Sequence, residues 1–288
     1  MLEVKPGVWF IEGENGGRYP YAHSLYLRGA VNILIDTGAG SKLEALKEKT
    51  DKVLLTHYHR DHVTLNPIFS KPSFAIHKKD APGVESIEGF YQLSGLDQVD
   101  IEAYWKMVRQ SGFVNTKITN YLEDGDMIEN GRITIKTLHL PGHTAGHCGF
   151  LIEEYELIFS ADIDLTSFGP WYGNTTSDPD QFRESIRRLR SLNPKMLITG
   201  HSKPTSRKIS EKLTAYESVL DQRDQKIVDE LKIKPSTTAQ LALRKIIYRR
   251  HNSQDALLFF EKSMIEKHIK SLINRGILEE AEGKYYVK

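Results

Sequence analysis

The chain has 288 residues, a length that suits one large domain or one large and one small. Its 39 Lys+Arg against 38 Asp+Glu leave a formal charge of +1, which excludes a chain that grips polyanions through overall charge. No apolar stretch approaches the ~18 residues of a membrane span, residues 1–17 lack a basic region followed by an apolar run, and the single cysteine, Cys148, excludes a disulfide framework or a cysteine-rich zinc module; the expectation is a soluble, cytoplasmic protein.

In chain order, residues 1–205 read as short apolar runs broken by Gly, Pro and Asp. Val31–Ile35, Val53–Leu55, Ile133–Leu140, Leu157–Phe159 and Met196–Ile198 carry the strand signals. Ser41-Lys42-Leu43-Glu44 reads as a capping box opening a short helix. The mixed stretch 83–120 is too long for a simple loop, which predicts a helical insertion, a lid in form. Ser177-Asp178-Pro179-Asp180 supplies the N-terminus of a helix over Gln181–Leu192. Residues 206–288 differ in texture and carry a net +5 against −4 for the rest. Ser210–Leu231 and a segment from Ser253 to Arg275 have helical periodicity, with Pro235 between them and Gly276 as a stop. Ile277–Val287 reads as a hairpin turning at Glu282-Gly283. The expected organisation is a catalytic domain over 1–205 and a small, mostly helical, winged-helix-like domain over 206–288.

One cluster carries chemistry. Thr56-His57-Tyr58-His59-Arg60-Asp61-His62 places three imidazoles and a carboxylate within His57–His62, the donors a borderline divalent ion accepts. As a strand it would put His57, His59 and Asp61 on one face and His62 on the other; as a tight loop after Val53–Leu55 it would let all four converge. His143 after Ile133–Leu140, Asp162 after Leu157–Phe159 and His201 after Met196–Ile198 likewise follow strand-like runs, so all seven groups can share one rim. Seven such groups are the inventory of a two-metal hydrolytic site: two sets of three and one bridge.

With its later Gly142-His143, Ala161-Asp162 and Gly200-His201, the His-x-His-x-Asp-His segment resembles the metallo-β-lactamase-fold superfamily over roughly residues 5–205. Within it, Pro141–His147 and Thr199-Gly200-His201 are most similar to the glyoxalase II-like hydrolases. The resemblance implies an α/β fold, a four-layer αββα sandwich with the site at one edge. It implies that His57, His59 and His143 hold one ion, that Asp61, His62 and His201 hold the other, that Asp162 bridges them, and that Asp36 in Leu34–Gly38 steadies the histidine loop. The ions would be zinc, with iron or manganese as alternatives. Two departures stand out: Val63-Thr64 replaces a common Gly-Gly, and no Lys or Arg lies between Ile163 and Asn174, where glyoxalase II proper has a basic residue for glutathione.

The expected activity is therefore attack by a metal-bridging hydroxide on an ester or thioester, with Asp61 also passing a proton to the leaving group. His23, Phe168, Trp171 and Tyr172 are candidate pocket residues; His77, His139, His147 and Cys148 read as structural. The alternatives are single-stranded RNA cleavage, with Arg244-Lys245 and Arg249-Arg250 on phosphates, a one-iron persulfide dioxygenase-like enzyme, and a non-catalytic binding protein. The expected partner is a small-molecule substrate, with nucleic acid as the lesser reading, no membrane, and a homodimer allowed.

Overall fold

The computed structural model describes residues 1–96, 113–248 and, in the last helix and hairpin, 256–288. Seven strands form the first sheet in sequence order: β1 (Leu2–Lys5), β2 (Val8–Ile11), β3 (Ser24–Leu27), β4 (Ile33–Ile35), β5 (Lys52–Leu54), β6 (Ser73–His77) and β7 (Asn120–Leu122). Pairing is antiparallel from β1 to β4 and parallel from β4 to β7. The second sheet contains β8 (Met127–Glu129), β9 (Thr134–His139), β10 (Cys148–Ile152), β11 (Leu157–Phe159) and β12 (Met196–Ile198), in the order β12-β11-β10-β9-β8. Because β10 is antiparallel to both β9 and β11 while β11 is parallel to β12, the C-terminal ends of β9, β11 and β12 lie on one edge.

Strand alternation builds the layers. Leu25, Leu27, Ile33, Ile35 and Leu54 meet Ile135, Phe150, Ile152, Phe159 and Ile198 in the core between the sheets. The opposite face of the first sheet, with Tyr26, Leu34, Val53, Phe74 and Ile76, is covered by a 3-10 helix (Gly40–Leu46) and by α1 (Arg60–Val63), α2 (Pro82–Glu85) and α3 (Ile87–Ser94). The opposite face of the second, with Leu138, Ile158 and Leu197, is covered by α4 (Pro179–Ser191) and α5 (Ile209–Ile233). Both outer faces are buried, so the parallel strands read as continuous apolar runs rather than alternating ones.

The same outer cluster continues without a gap into α6 (Thr238–Ala242), α7 (Ala256–Asn274) and the hairpin β13 (Leu278–Ala281)–β14 (Lys284–Val287), through Ile227, Leu241, Met264, Ile269 and Leu278. The hairpin turns at Glu282 and Gly283, both at positive φ. Thr237 closes a capping box on α6, and Asp178 caps α4 as its sequence predicts. Ser41 does not cap: it lies inside the 3-10 turn, after Ala39, and its hydroxyl and amide both donate to the Glu14 carboxylate. Of the expected 83–120 insertion, α2 and α3 are helical; residues 97–112, like Ser253, Arg249 and Arg250, lie outside the described residues. Among the described residues no helix is long and apolar enough to cross a membrane.

Leu220, fully buried on α5, tests the shared cluster. Leu220→Ala is expected to cost about 2–5 kcal/mol and to lower the urea midpoint of one common transition followed by far-UV circular dichroism and tryptophan emission; separate transitions for the two probes would contradict a continuous outer layer.

Candidate metal centre

Strand β5 stops at Leu54 and the chain enters a loop before α1 begins at Arg60. His57 and His59 therefore stand on the loop and Asp61 and His62 on the first helical turn, so the tight-loop alternative holds and His62 is not turned away. His143 sits in the turn between β9 and β10, Asp162 three residues past β11 and His201 three past β12. These ends meet, and two groups form: His57, His59, His143 and Asp162 in one, Asp61, His62 and His201 in the other.

The donor atoms converge closely. His143 Nε2 lies 3.2 Å from His57 Nε2 and 2.8 Å from His59 Nδ1. Asp162 Oδ2 is 3.1 Å from His143 Nε2 and 4.0 Å from His57 Nε2, while Oδ1 is 2.9 Å from His62 Nε2 and 3.5 Å from His201 Nε2. Asp61 Oδ2 stands 3.3 Å from His201 Nε2. One carboxylate thus presents an oxygen to each group.

The outer nitrogens explain which lone pairs point inward. His143 Nδ1 donates to the Trp171 carbonyl at 2.8 Å, His201 Nδ1 to the Gly17 carbonyl at 2.6 Å and His62 Nδ1 to Asp36 Oδ2 at 2.7 Å. The Thr56 hydroxyl donates to Asp36 Oδ2 at 2.8 Å, which leaves its oxygen to accept from His57 Nδ1 at 3.0 Å. His59 Nε2 meets the side-chain amide of Asn174. The outer nitrogens of His57, His62, His143 and His201 are thus each held by an oxygen, which turns the other nitrogen of each ring toward the shared centre and Asp162. Asp162 Oδ1 is buried with no hydrogen-bond donor. Lone pairs crowded together in a buried space call for positive charge between them, and this donor set fits divalent cations.

The two groups differ in their electrostatic surroundings. Burial, and after it the neighbouring imidazoles, holds His57 and His59 well below the ordinary histidine range. In the second group burial is overcome by carboxylates: Asp162, Asp36 and Asp61 lift His62 to about 10, and Asp162 and Asp61 lift His201 well above its ordinary value. Without a cation, this excess of carboxylate draws in protons instead.

Asp36 is fully buried and also accepts the Thr56 amide at 2.8 Å, tying the histidine loop to the end of β4. Gly200 needs to be glycine: a Cβ there would meet His62 Cε1 at 2.8 Å and Asp162 Oδ1 at 3.1 Å, inside the second group. The turn carrying His143 is held by Asp80, whose carboxylate accepts the Thr144 hydroxyl at 2.6 Å and the Gly146 amide at 2.7 Å; burial lifts its carboxyl to about 6. Ser177 Oγ donates to the His143 carbonyl at 2.6 Å. Asp80 and Asn174 escape a sequence reading because each is an ordinary polar residue outside any motif, and Ser177 because its motif signals only the start of a helix.

The candidate pocket residues divide. Trp171 is half-buried, with its ring 5.5 Å from that of His59 and 5.7 Å from that of His143. Phe260 packs on Trp171 at 5.3 Å, and the Tyr248 hydroxyl accepts from its indole. Phe168 stacks on Tyr248 at 5.1 Å, further out. Tyr172 does not line an opening: it is fully buried, its hydroxyl joined to Arg223 and His268. His23 is also buried, accepting the Gly13 amide on Nδ1 behind Gly17, and so supports the His201 side from beneath. His147 holds the Asp162 amide at 3.2 Å on Nε2, and Cys148 is buried in the core.

A sequence profile of the Metallo-beta-lactamase superfamily matches residues 20–201, which hold both groups. The chain belongs to the metallo-beta-lactamase superfamily. Among superfamily relatives, the chain is 24% identical over 297 residues to a "Beta-lactamase-like protein 2 homolog" of Caenorhabditis elegans, covering 97% of this chain and 85% of that one. A hydroxyacylglutathione hydrolase of Haemophilus influenzae is 29% identical over 57% of this chain and 74% of its own. An atrochrysone carboxyl ACP thioesterase of Aspergillus fumigatus is 27% identical over 79% of this chain and 61% of its own. Among solved structures, a metallo-beta-lactamase family protein from Thermus thermophilus superposes with a TM-score of 0.76 at 20% identity, covering 99% of this chain and 100% of that one. The likeness of fold to that structure includes the C-terminal helices, beyond the residues that the superfamily profile matches.

Two outcomes follow. Gly200→Ala is expected to lower bound metal relative to the wild type, read by elemental analysis, with the far-UV spectrum unchanged; wild-type loading would contradict the crowding. His77 stacks on His139 at 4.2 Å, and burial followed by the His139 charge lowers its pKa to about 4. A histidine depressed in the folded state gives stability above its unfolded pKa that is lost as pH falls from about 6.5 toward 4. The His77→Phe variant is expected to lose less of its urea midpoint between pH 7 and pH 5 than the wild type; an equal loss would contradict this.

Proposed function

We propose that this superfamily hydrolase uses two divalent ions, zinc by donor type, to cleave an ester or thioester. The observation that carries the reading is Asp162, with one oxygen toward each group of imidazoles. His57, His59 and His143 would hold one ion, Asp61, His62 and His201 the other, and Asp162 both. A bound pair supplies hydroxide at neutral pH and Lewis-acid stabilisation of charge developing on a carbonyl oxygen. Asp36 and Thr56 keep the histidine loop in register, and Asp61 is assigned the transfer of a proton to the departing thiol or alcohol. The completeness of the second group favours two ions over a single iron.

The names of two relatives, a hydroxyacylglutathione hydrolase and a carboxyl ACP thioesterase, support a thioester. The wall beside the imidazoles is aromatic, built by Trp171 and Phe260, which suits an apolar acyl or aryl group. Arg223, beneath this segment, is already committed to the Pro170 and Phe168 carbonyls and the Tyr172 hydroxyl. RNA cleavage draws less support: Arg244, one of the expected phosphate contacts, is bound to the Glu230 carboxylate and carbonyl and to Ser236. Residues 206–288, read as a winged-helix-like module, are assigned to the pocket wall instead.

Asp162→Ala is expected to bring metal content well below two equivalents and to abolish turnover. On the wild-type protein, a simple acyl thioester should be hydrolysed at least as well, in kcat/KM, as a matched glutathione thioester. A strong glutathione preference, or RNA cleavage outpacing both, would overturn the substrate assignment.

A further inference from the structure

The C-terminal helices reach the metal centre through a buried polar chain. Arg223 of α5, 4% exposed, is the hub. Its guanidinium donates to the carbonyls of Phe168 at 2.6 Å and Pro170 at 2.5 Å and to the Tyr172 hydroxyl at 2.9 Å, and it lies over the rings of Phe168 and Tyr172 at 4.8 and 5.4 Å. The Tyr172 O–H then donates to His268 Nε2 on α7, and His268 Nδ1 donates to Asp224 Oδ1. Asp224 also accepts from Arg183 of α4 at 2.7 Å and from Arg275 at 2.6 Å. Beside this chain, Ser263 Oγ of α7 donates to the Gly173 carbonyl at 2.7 Å. Segment 168–173 is thus gripped at four backbone or hydroxyl oxygens by α5 and α7.

Trp171, inside that segment, and Asn174, the residue just after it, touch the metal centre. Trp171 gives its carbonyl to His143 Nδ1, and Asn174 meets His59 Nε2. Backbone carbonyls have no preferred place of their own in an irregular segment, so an unfastened loop would leave both rings free to rotate. A guanidinium presents several N–H groups in one rigid plane and can fix several oxygens together.

We propose that Arg223 and Tyr172 are positioning residues for the three-imidazole group: through the Trp171 carbonyl and Asn174 they fix the rotation of His143 and His59. The assignment rests on the reading of these histidines as ligands. It makes the C-terminal region part of the metal centre although it contributes no donor atom to it. Partners that orient metal-bound imidazoles typically change metal affinity about 10–100-fold when lost.

The test is Co2+ titration of the metal-free full chain, followed by its visible absorption bands. For the wild type, two equivalents are expected. For Arg223→Gln and for the milder Tyr172→Phe, one binding phase should weaken about tenfold or more with altered bands, and the other should stay within about twofold. Arg275→Ala removes one partner of Asp224 but touches no loop oxygen, and both phases should match the wild type. If Arg223→Gln does not fold, Tyr172→Phe decides alone. Wild-type affinity in Tyr172→Phe, equal weakening of both phases, or the same loss in Arg275→Ala would overturn the assignment. Fewer than two equivalents on the wild type would overturn the two-ion reading itself, and this assignment with it.

Discussion

The placement of Asp162 sets the constraint that the surrounding structure answers. A buried carboxylate crowded among imidazole nitrogens calls for positive charge, whether protons or a cation, to enter between them. Such an arrangement survives only if each side chain is prevented from turning aside. The β-sandwich provides the coarse part of this restraint, since the C-terminal ends of β9, β11 and β12 lie on one edge. The fine part comes from outer hydrogen bonds on every imidazole, to Asp36, Thr56, Asn174 and the carbonyls of Trp171 and Gly17.

These restraints come from widely separated parts of the chain. Gly17 precedes the first of the imidazoles by forty residues, and Asp80 braces the His143 turn from just beyond the end of β6. The outer apolar layer on the second sheet is equally mixed, with Leu138 and Ile158 in the same cluster as Met264 and Leu278. The C-terminal helices and the second sheet thus share one close-packed layer, which passes strain on rather than absorbing it.

The donor groups are legible in the sequence because metal chemistry demands rare residue types at short spacing: His57 through His62 cannot be mistaken for a solvated helix. Strands such as Leu157–Phe159 are legible because burial on both faces makes them continuously apolar. Alternation alone is compatible with both a strand and a tight loop at His57–His62, so only the three-dimensional structure chooses between them. Tyr172 illustrates what sequence could not supply. It follows a residue that does border the imidazoles, yet its side chain points into the outer layer toward His268, nearly a hundred positions later. Ser41 shows the reverse error: a local capping signal gives way to Glu14, a partner brought in by tertiary structure.

The position of Trp171 has one further consequence. Its indole lies within 6 Å of the rings of His59 and His143. Tryptophan emission is quenched over such distances by unpaired electrons, whereas a closed-shell ion leaves it bright. With Trp9 and Trp105 replaced by Phe, the emission left to Trp171 would distinguish a paramagnetic ion beside these imidazoles from a closed-shell one, without any added label.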